Sequence, residues 1–176
     1  MAAKGQKPIL ANPLLAQAAF EHDLATVLKG RGVTWEESGW TRLNELALLI
    51  PMTGYPNQVA GEPAYLLKLE FRHYPDWPPS AQFVNPSTKT YTFPADRCWL
   101  PKLESDEIRT HENYDNKVQL ICSSVTLEFY DVLHGVDDQF VWKHPRQTFA
   151  ATLNQIEWAL HNHYNGRFAP LPAGPV

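Results

Sequence analysis

The order in which hydrophobic periodicities follow one another limits this chain more than any single motif does. Asn12-Pro13 sets an N-cap residue before a proline suited to the first helical position. Leu14, Leu15, Ala18, Ala19, His22, Leu24 and Leu28 then recur at roughly helical intervals up to Gly30. That spacing predicts an amphipathic helix packed by one face on a sheet. From Arg42 the pattern changes: LNELALLIPM is an apolar run, TGYPNQVAGEP a turn, AYLLKLEFR a partly alternating strand, and SAQFV a third strand. A helix followed by three successive strands predicts an antiparallel meander with helices on one face, an α+β architecture. Near the far end, Phe149, Leu153, Ile156 and Leu160 lie three to four apart, with Trp158 expected to pack beside them. Gly166 stands where a helix stop is expected.

At 176 residues, with 44% hydrophobic and 12% aromatic side chains, the chain has the size and composition of one packed domain. Its expected limits are a flexible arm at 1–11, a domain at 12–167 and a proline-rich tail at 168–176. A net charge of -4 with no basic run argues against nucleic acid as a partner. Two cysteines, Cys98 and Cys122, do not make a disulfide framework, and MAAKGQKPIL lacks the apolar core of a signal peptide. A soluble protein of the reducing cytoplasm, without a membrane partner, is the expectation.

Chemistry concentrates between Thr110 and Ser124, THENYDNKVQLICSS, where a His-x-Asn group precedes Cys122. Val118, Leu120 and Cys122 alternate with Gln119 and Ile121, the period of a strand that fixes a thiol in place. His111-Glu112-Asn113 and Asp115-Asn116 are turn formers, expected to make a tight loop folding back over the cysteine. In such a loop, the Asn113 carboxamide is a candidate oxyanion donor for acyl transfer on Cys122, a role worth about 3 kcal/mol.

His111-x-Asn113 followed by Ile121-Cys122 resembles the HPN-to-cysteine signature of the E2 ubiquitin-conjugating enzymes. YLLKLEFRHYPDWPPSAQFVNP is similar to their strand pair joined by a YPxxPP turn, and Trp142 with Pro145 to the tryptophan before their crossover helix. Glu112 replaces the family proline, the step from His111 to Cys122 is one residue longer, and insertions fall near 87–109 and 125–141. Divergent bacterial E2-like proteins are the members it most resembles. The resemblance implies a UBC-like fold: N-terminal helix, antiparallel meander sheet, active-site loop and C-terminal crossover helix. It implies a transferase whose catalytic residues are Cys122, Asn113 and a bracing His111. Cys122 would accept a ubiquitin-like protein as a thioester from an E1-like activating enzyme and pass it to a lysine of a target protein. No cofactor is implied, since the activating enzyme spends the ATP. Bacterial sets of this kind are associated with antiviral (antiphage) defence. Asp137 or Asp138 is the family-type candidate for orienting the incoming amine.

Other readings stand beside this one. An inactive E2-variant or RWD-like adaptor would keep the sheet and its partner surfaces, and a cysteine hydrolase would pair Cys122 with a histidine. Asp131, His134, Asp137, Asp138, His161 and His163 have metal-ligand residue types, but their spacing matches no zinc or calcium motif, so no metal is expected. His73 to Pro79 reads as a turn whose Tyr74 and Trp77 cover the end of the core. Cys98, beside Trp99, reads as a small packed hydrophobe. A short strand is expected at Lys89–Phe93, and SSVTLEFYDVL reads as a short strand or wall of the site.

Overall fold

The computed structural model of the chain describes residues 7–55, 64–116, 118–132 and 141–172. Its first helix, α1 (Pro13–Arg31), begins where the Asn12 side chain accepts from the N–H groups of Leu14 (3.0 Å) and Leu15 (3.4 Å). Gly32 ends it at φ 67°, a left-handed conformation that a residue without Cβ adopts at little cost. The buried stripe is Ala16, Phe20, Asp23, Leu24 and Val27. Leu14 and Leu15, expected on that face, are instead 77% and 66% exposed. Contacts farther along set the rotation of the helix: Phe20 stacks on Phe71 at 4.2 Å, and Asp23 points inward.

Four strands follow rather than three. Asn44 Oδ1 accepts from the Leu46 N–H (2.8 Å), a local turn that divides the apolar run into β1 (Thr41–Asn44) and β2 (Ala47–Thr53). With β3 (Ala64–Glu70) and β4 (Ser80–Phe83) they form an antiparallel sheet in the order β1-β2-β3-β4. Tyr65, Leu67 and Leu69 of β3, with Ala81 and Phe83 of β4, turn to the core at alternate positions. Between β3 and β4, Tyr74 and Trp77 are buried as expected, and the Trp142 indole N–H donates to the Pro75 carbonyl (2.8 Å).

Lys89–Phe93 is not a strand. Lys89 takes φ 60°, and Asp96 closes the segment by accepting from Asn85 Nδ2 (2.8 Å) and the Thr92 N–H (2.7 Å). A 3-10 turn (Arg97–Trp99) leads into β5 (Pro101–Leu103), and a hairpin follows from β6 (Arg109–Tyr114) and β7 (Val118–Cys122). The segment read as a strand or wall is a short helix, α2 (Leu127–Asp131). Thr126 Oγ1 reaches back to the carbonyls of Ile121 (2.6 Å) and Ser123 (2.9 Å), and this turns the chain before a strand can extend.

The last long helix, α3 (Phe149–Asn162), buries Phe149, Thr152, Leu153, Ile156, Ala159 and Leu160. It packs against α1 and β2. Trp158 lies off that face, 40% exposed, with its ring on His163 (4.5 Å). The helix ends before Gly166, because residues Tyr164–Arg167 form β8 and pair antiparallel with β5. At the two ends of the expected domain the Ala11 N–H donates to Arg72 O (2.9 Å) and the Phe168 N–H to Leu100 O (3.3 Å). Residues 1–6 of the arm and 173–176 of the tail lie outside the described residues. Among the described residues, no helix is long and apolar enough to cross a membrane.

A buried polar network ties α1 to the rest of the core. Asp23, 4% exposed, accepts from the Tyr74 hydroxyl and from His144 Nε2 (2.9 Å), and Tyr74 in turn accepts from the Phe149 N–H at the start of α3 (3.4 Å). Replacing Asp23 with alanine strands the buried Tyr74 hydroxyl and removes the partner of the partly exposed His144. Asp23→Ala is expected to lower the unfolding free energy by about 3 kcal/mol in a urea titration. The exposed Leu14→Ala should stay within ~0.5 kcal/mol of the parent protein.

Candidate functional site

The β6–β7 hairpin is made by its turn. Asp115 (φ 53°) and Asn116 (φ 55°) are two consecutive left-handed residues in the reversal between Tyr114 and Val118, and Asn and Asp tolerate that conformation better than most residues. Along the hairpin Cys122 pairs with Arg109, Ile121 with Thr110 and Leu120 with His111, while Tyr114 pairs with Val118 next to the turn. The register then slips between His111 and Tyr114, where Glu112 and Asn113 face the single residue Gln119, a β-bulge. His111-Glu112-Asn113 is therefore strand, not a loop over the cysteine, because the reversal comes only after Tyr114, which pairs with Val118.

Gln119 anchors the hairpin to the main sheet. Its carboxamide, 2% exposed, accepts from the Phe83 N–H (2.7 Å) and donates to the Phe83 carbonyl (2.9 Å), standing in for a further strand at the edge of β4. On the bulge, Glu112 pairs with Arg97 (2.8 Å) and its carbonyl accepts from the Tyr91 hydroxyl (3.0 Å).

Cys122 is half-buried at the end of β7. It borders a shallow, open cleft of about 350 Å³ walled by Ser105, Asp106, Ile108, Arg109, His111 and Tyr114. The Asp106 wall is a tight turn in which the Ser105 N–H donates to Ile108 O (2.9 Å) and Ser105 Oγ accepts from the Ile108 N–H (3.2 Å). Burial pushes the Cys122 thiol up, and the Arg109 guanidinium pulls it partly back. Arg109 also pairs with Glu104 at 3.4 Å, with both side chains more than half exposed.

The structure brings two of the three candidate residues to one cleft. His111 lies diagonally from Cys122 on the strand pair, its ring edge against Tyr114 at 5.4 Å. Asn113 does not line the cleft: it is four residues along β6 from Arg109, about 13 Å at the usual strand rise. Its Nδ2 donates to Asn116 Oδ1 (3.3 Å), beside a neighbouring groove edged by Phe93 and Phe168. Arg109 was not legible in the sequence: counting back from the Tyr114–Val118 pair sets Thr110 opposite Cys122, and the bulge moves that place to Arg109.

The remaining candidates sit elsewhere. Cys98 is 5% exposed in the 3-10 turn, and burial pushes its thiol up. His134, Asp137 and Asp138 lie outside the described residues. His161 packs on Tyr55 (4.9 Å) and His163 on Trp158, and no group of three metal-ligating side chains converges among the described residues. No family model, curated protein or solved structure matches the chain.

If Arg109 favours the thiolate, Arg109→Ala raises the Cys122 pKa and leaves less thiolate at pH 7.5. Alkylation by iodoacetamide should slow by about two- to fivefold, the scale of an exposed charge pair. Lys102→Ala, on another part of the surface, should leave the rate unchanged.

Proposed function

We propose that this chain is an E2-like conjugating enzyme of UBC-like fold. It takes a ubiquitin-like protein from an E1-like activating enzyme as a thioester on Cys122 and hands it to an amine, typically lysine. The setting of Cys122 carries this reading. A thiol on a strand end borders an open cleft of about 350 Å³ rather than an enclosed cavity, a setting that suits a chain end brought by a protein partner better than a small molecule. Support also comes from element order, with a helix, a meander sheet, a cysteine-bearing segment and a last long helix in succession. The Tyr74–Pro79 turn and Trp142, two landmarks of the resemblance, meet through the Pro75 carbonyl.

In this mechanism the Cys122 sulfur attacks the activated carbonyl of the incoming thioester, and the carrier thiol leaves. An amine then displaces Cys122 and takes the acyl group. A thiol raised by burial suffices for the first step because the incoming thioester is already activated. The charge developing on the carbonyl oxygen falls to Arg109, directly across the ladder, rather than to Asn113 at the hairpin tip. His111 braces the site through Tyr114. The extra residue between His111 and Cys122 is taken up by the bulge at Glu112 and Asn113, and Arg97 holds Glu112 where the family has proline.

A cysteine hydrolase is the second reading, favoured by the presence of His111 and Cys122 in one cleft. The two separate in one experiment with an E1-like enzyme and a ubiquitin-like protein from the same genome, plus ATP. The conjugation reading expects an adduct that thiol reductant cleaves, that Cys122→Ala abolishes and that Cys98→Ala preserves. His111→Ala should reduce it modestly; a fall of ~100-fold or more is the mark of a general base and belongs to the hydrolase. A partner set proven competent elsewhere that charges no thiol here overturns the reading and leaves an adaptor.

A further inference from the structure

The short helix that follows Cys122 rests on a buried carboxyl group that the proposed chemistry does not use. Glu128, 6% exposed, projects from α2 onto the first residues of β4, where it accepts from the Ser80 hydroxyl and from the Ala81 N–H (3.1 Å). The Leu127 N–H donates to Pro79 O beside it (3.1 Å). Both side-chain partners of Glu128 are neutral, unlike Asp23, which faces His144. The same helix holds the Cys122 flank from two sides. Thr126, its N-cap, bonds the Ile121 and Ser123 carbonyls, and the Tyr130 hydroxyl donates to Ser124 O (2.9 Å) while accepting from the Trp142 N–H (3.0 Å).

We infer that α2 is a proton-operated latch: the neutral Glu128 carboxyl seats the helix on β4, and its ionisation loosens the helix and with it the segment flanking Cys122. Ionisation places a charge in a closed seat where Ser80 and Ala81 donate but, among the described residues, no cation pairs with it, and that opposes the seated state. Among the described residues, Asp131 on the same helix opposes ionisation of Glu128 by its charge; His73 of the β3–β4 turn and Lys7 of the N-terminal arm act on Asp131. Strands β4 (SAQF) and β7 (VQLIC) carry no charged residue, and Cys122 is their one titratable side chain.

Burial pushes the Glu128 carboxyl from 4.5 up to about 7, against the pull of Ser80 and Ala81. Its folded value exceeds its unfolded one, so the seated helix binds the extra proton between about pH 4.5 and 7. The seating contribution is complete below that window and is lost as pH rises through about 7. The latch therefore acts near neutrality and is independent of the acyl carried by Cys122.

Two readouts on the isolated protein test it. Hydrogen exchange should show the protection factors of residues 127–131 falling about tenfold between pH 6 and 8, against no change in Glu128→Gln, whose amide fills the same seat without ionising. Iodoacetamide alkylation of Cys122 should rise more steeply with pH than the ~tenfold per unit of a simple thiol between pH 6.5 and 7.5, and follow the simple slope in Glu128→Gln. Ser80→Ala removes a bond that favours the anion, so its transition should move to higher pH; this variant decides the matter if Glu128→Gln does not fold. Protection that does not change with pH in the parent protein, or that falls equally in Glu128→Gln, or a Ser80→Ala midpoint that does not move, overturns the latch. Because neither readout needs an activating enzyme, failure of the latch leaves the conjugation reading standing, and the reverse also holds.

Discussion

The hydrogen bonds between Gln119 and Phe83 hold the candidate site to the fold. The main sheet ends at β4, and the outer N–H and carbonyl of Phe83 at its edge need partners once the hairpin covers them. One carboxamide supplies an acceptor and a donor at the right separation, so the edge is closed by a side chain instead of a fifth strand. Since Gln119 is fully enclosed, losing it leaves both Phe83 groups buried without partners, a cost of a few kcal/mol. Cys122 stands three residues farther along the same strand. Its position is thus inherited from the sheet and not from a loop.

From that anchor the rest of the site follows. The strand after Gln119 buries Leu120 and Ile121 and releases Cys122 half into solvent, while pairing sets Arg109 across from it. Desolvation and the guanidinium act on the thiol in opposite directions, and desolvation is the larger effect. Such a thiol is a better match for an activated carbonyl brought by a partner than for an unactivated substrate. On the far side, Thr126 and Tyr130 fasten the chain leaving Cys122, so the thiol is held between the hairpin and α2. Both rest finally on β4, one through Gln119 and the other through Glu128.

Much of the scaffold was legible from neighbouring residues. Asn12-Pro13 marks the start of α1 because capping is an interaction within one turn of chain, while its end falls at Gly32, two residues past the expected Gly30; the alternation of Tyr65, Leu67 and Leu69 is the pleat of β3 itself. Asp115-Asn116 marks the hairpin turn for the same reason. Where local signals misled, a contact from far along the chain had outweighed them. Leu14 and Leu15 match the helical period, but Phe20 on Phe71 and Asp23 on Tyr74 chose the buried face. His111-Glu112-Asn113 has turn-forming side chains, yet pairing with β7 drew it into a strand.

The sequence by itself determined where α1, α3 and the first sheet lie, that the reversal before Cys122 sits at Asp115-Asn116, and that a thiol ends the following strand. These depend on residues within a few positions of one another. Tertiary structure alone decided that Arg109 and not Asn113 faces Cys122, that residues 164–167 return to pair with β5, and that Glu128 is enclosed against Ser80 and Ala81. Each of those is a matter of register or burial, set by the volume and hydrogen-bonding needs of segments tens of residues apart, and no local pattern encodes them.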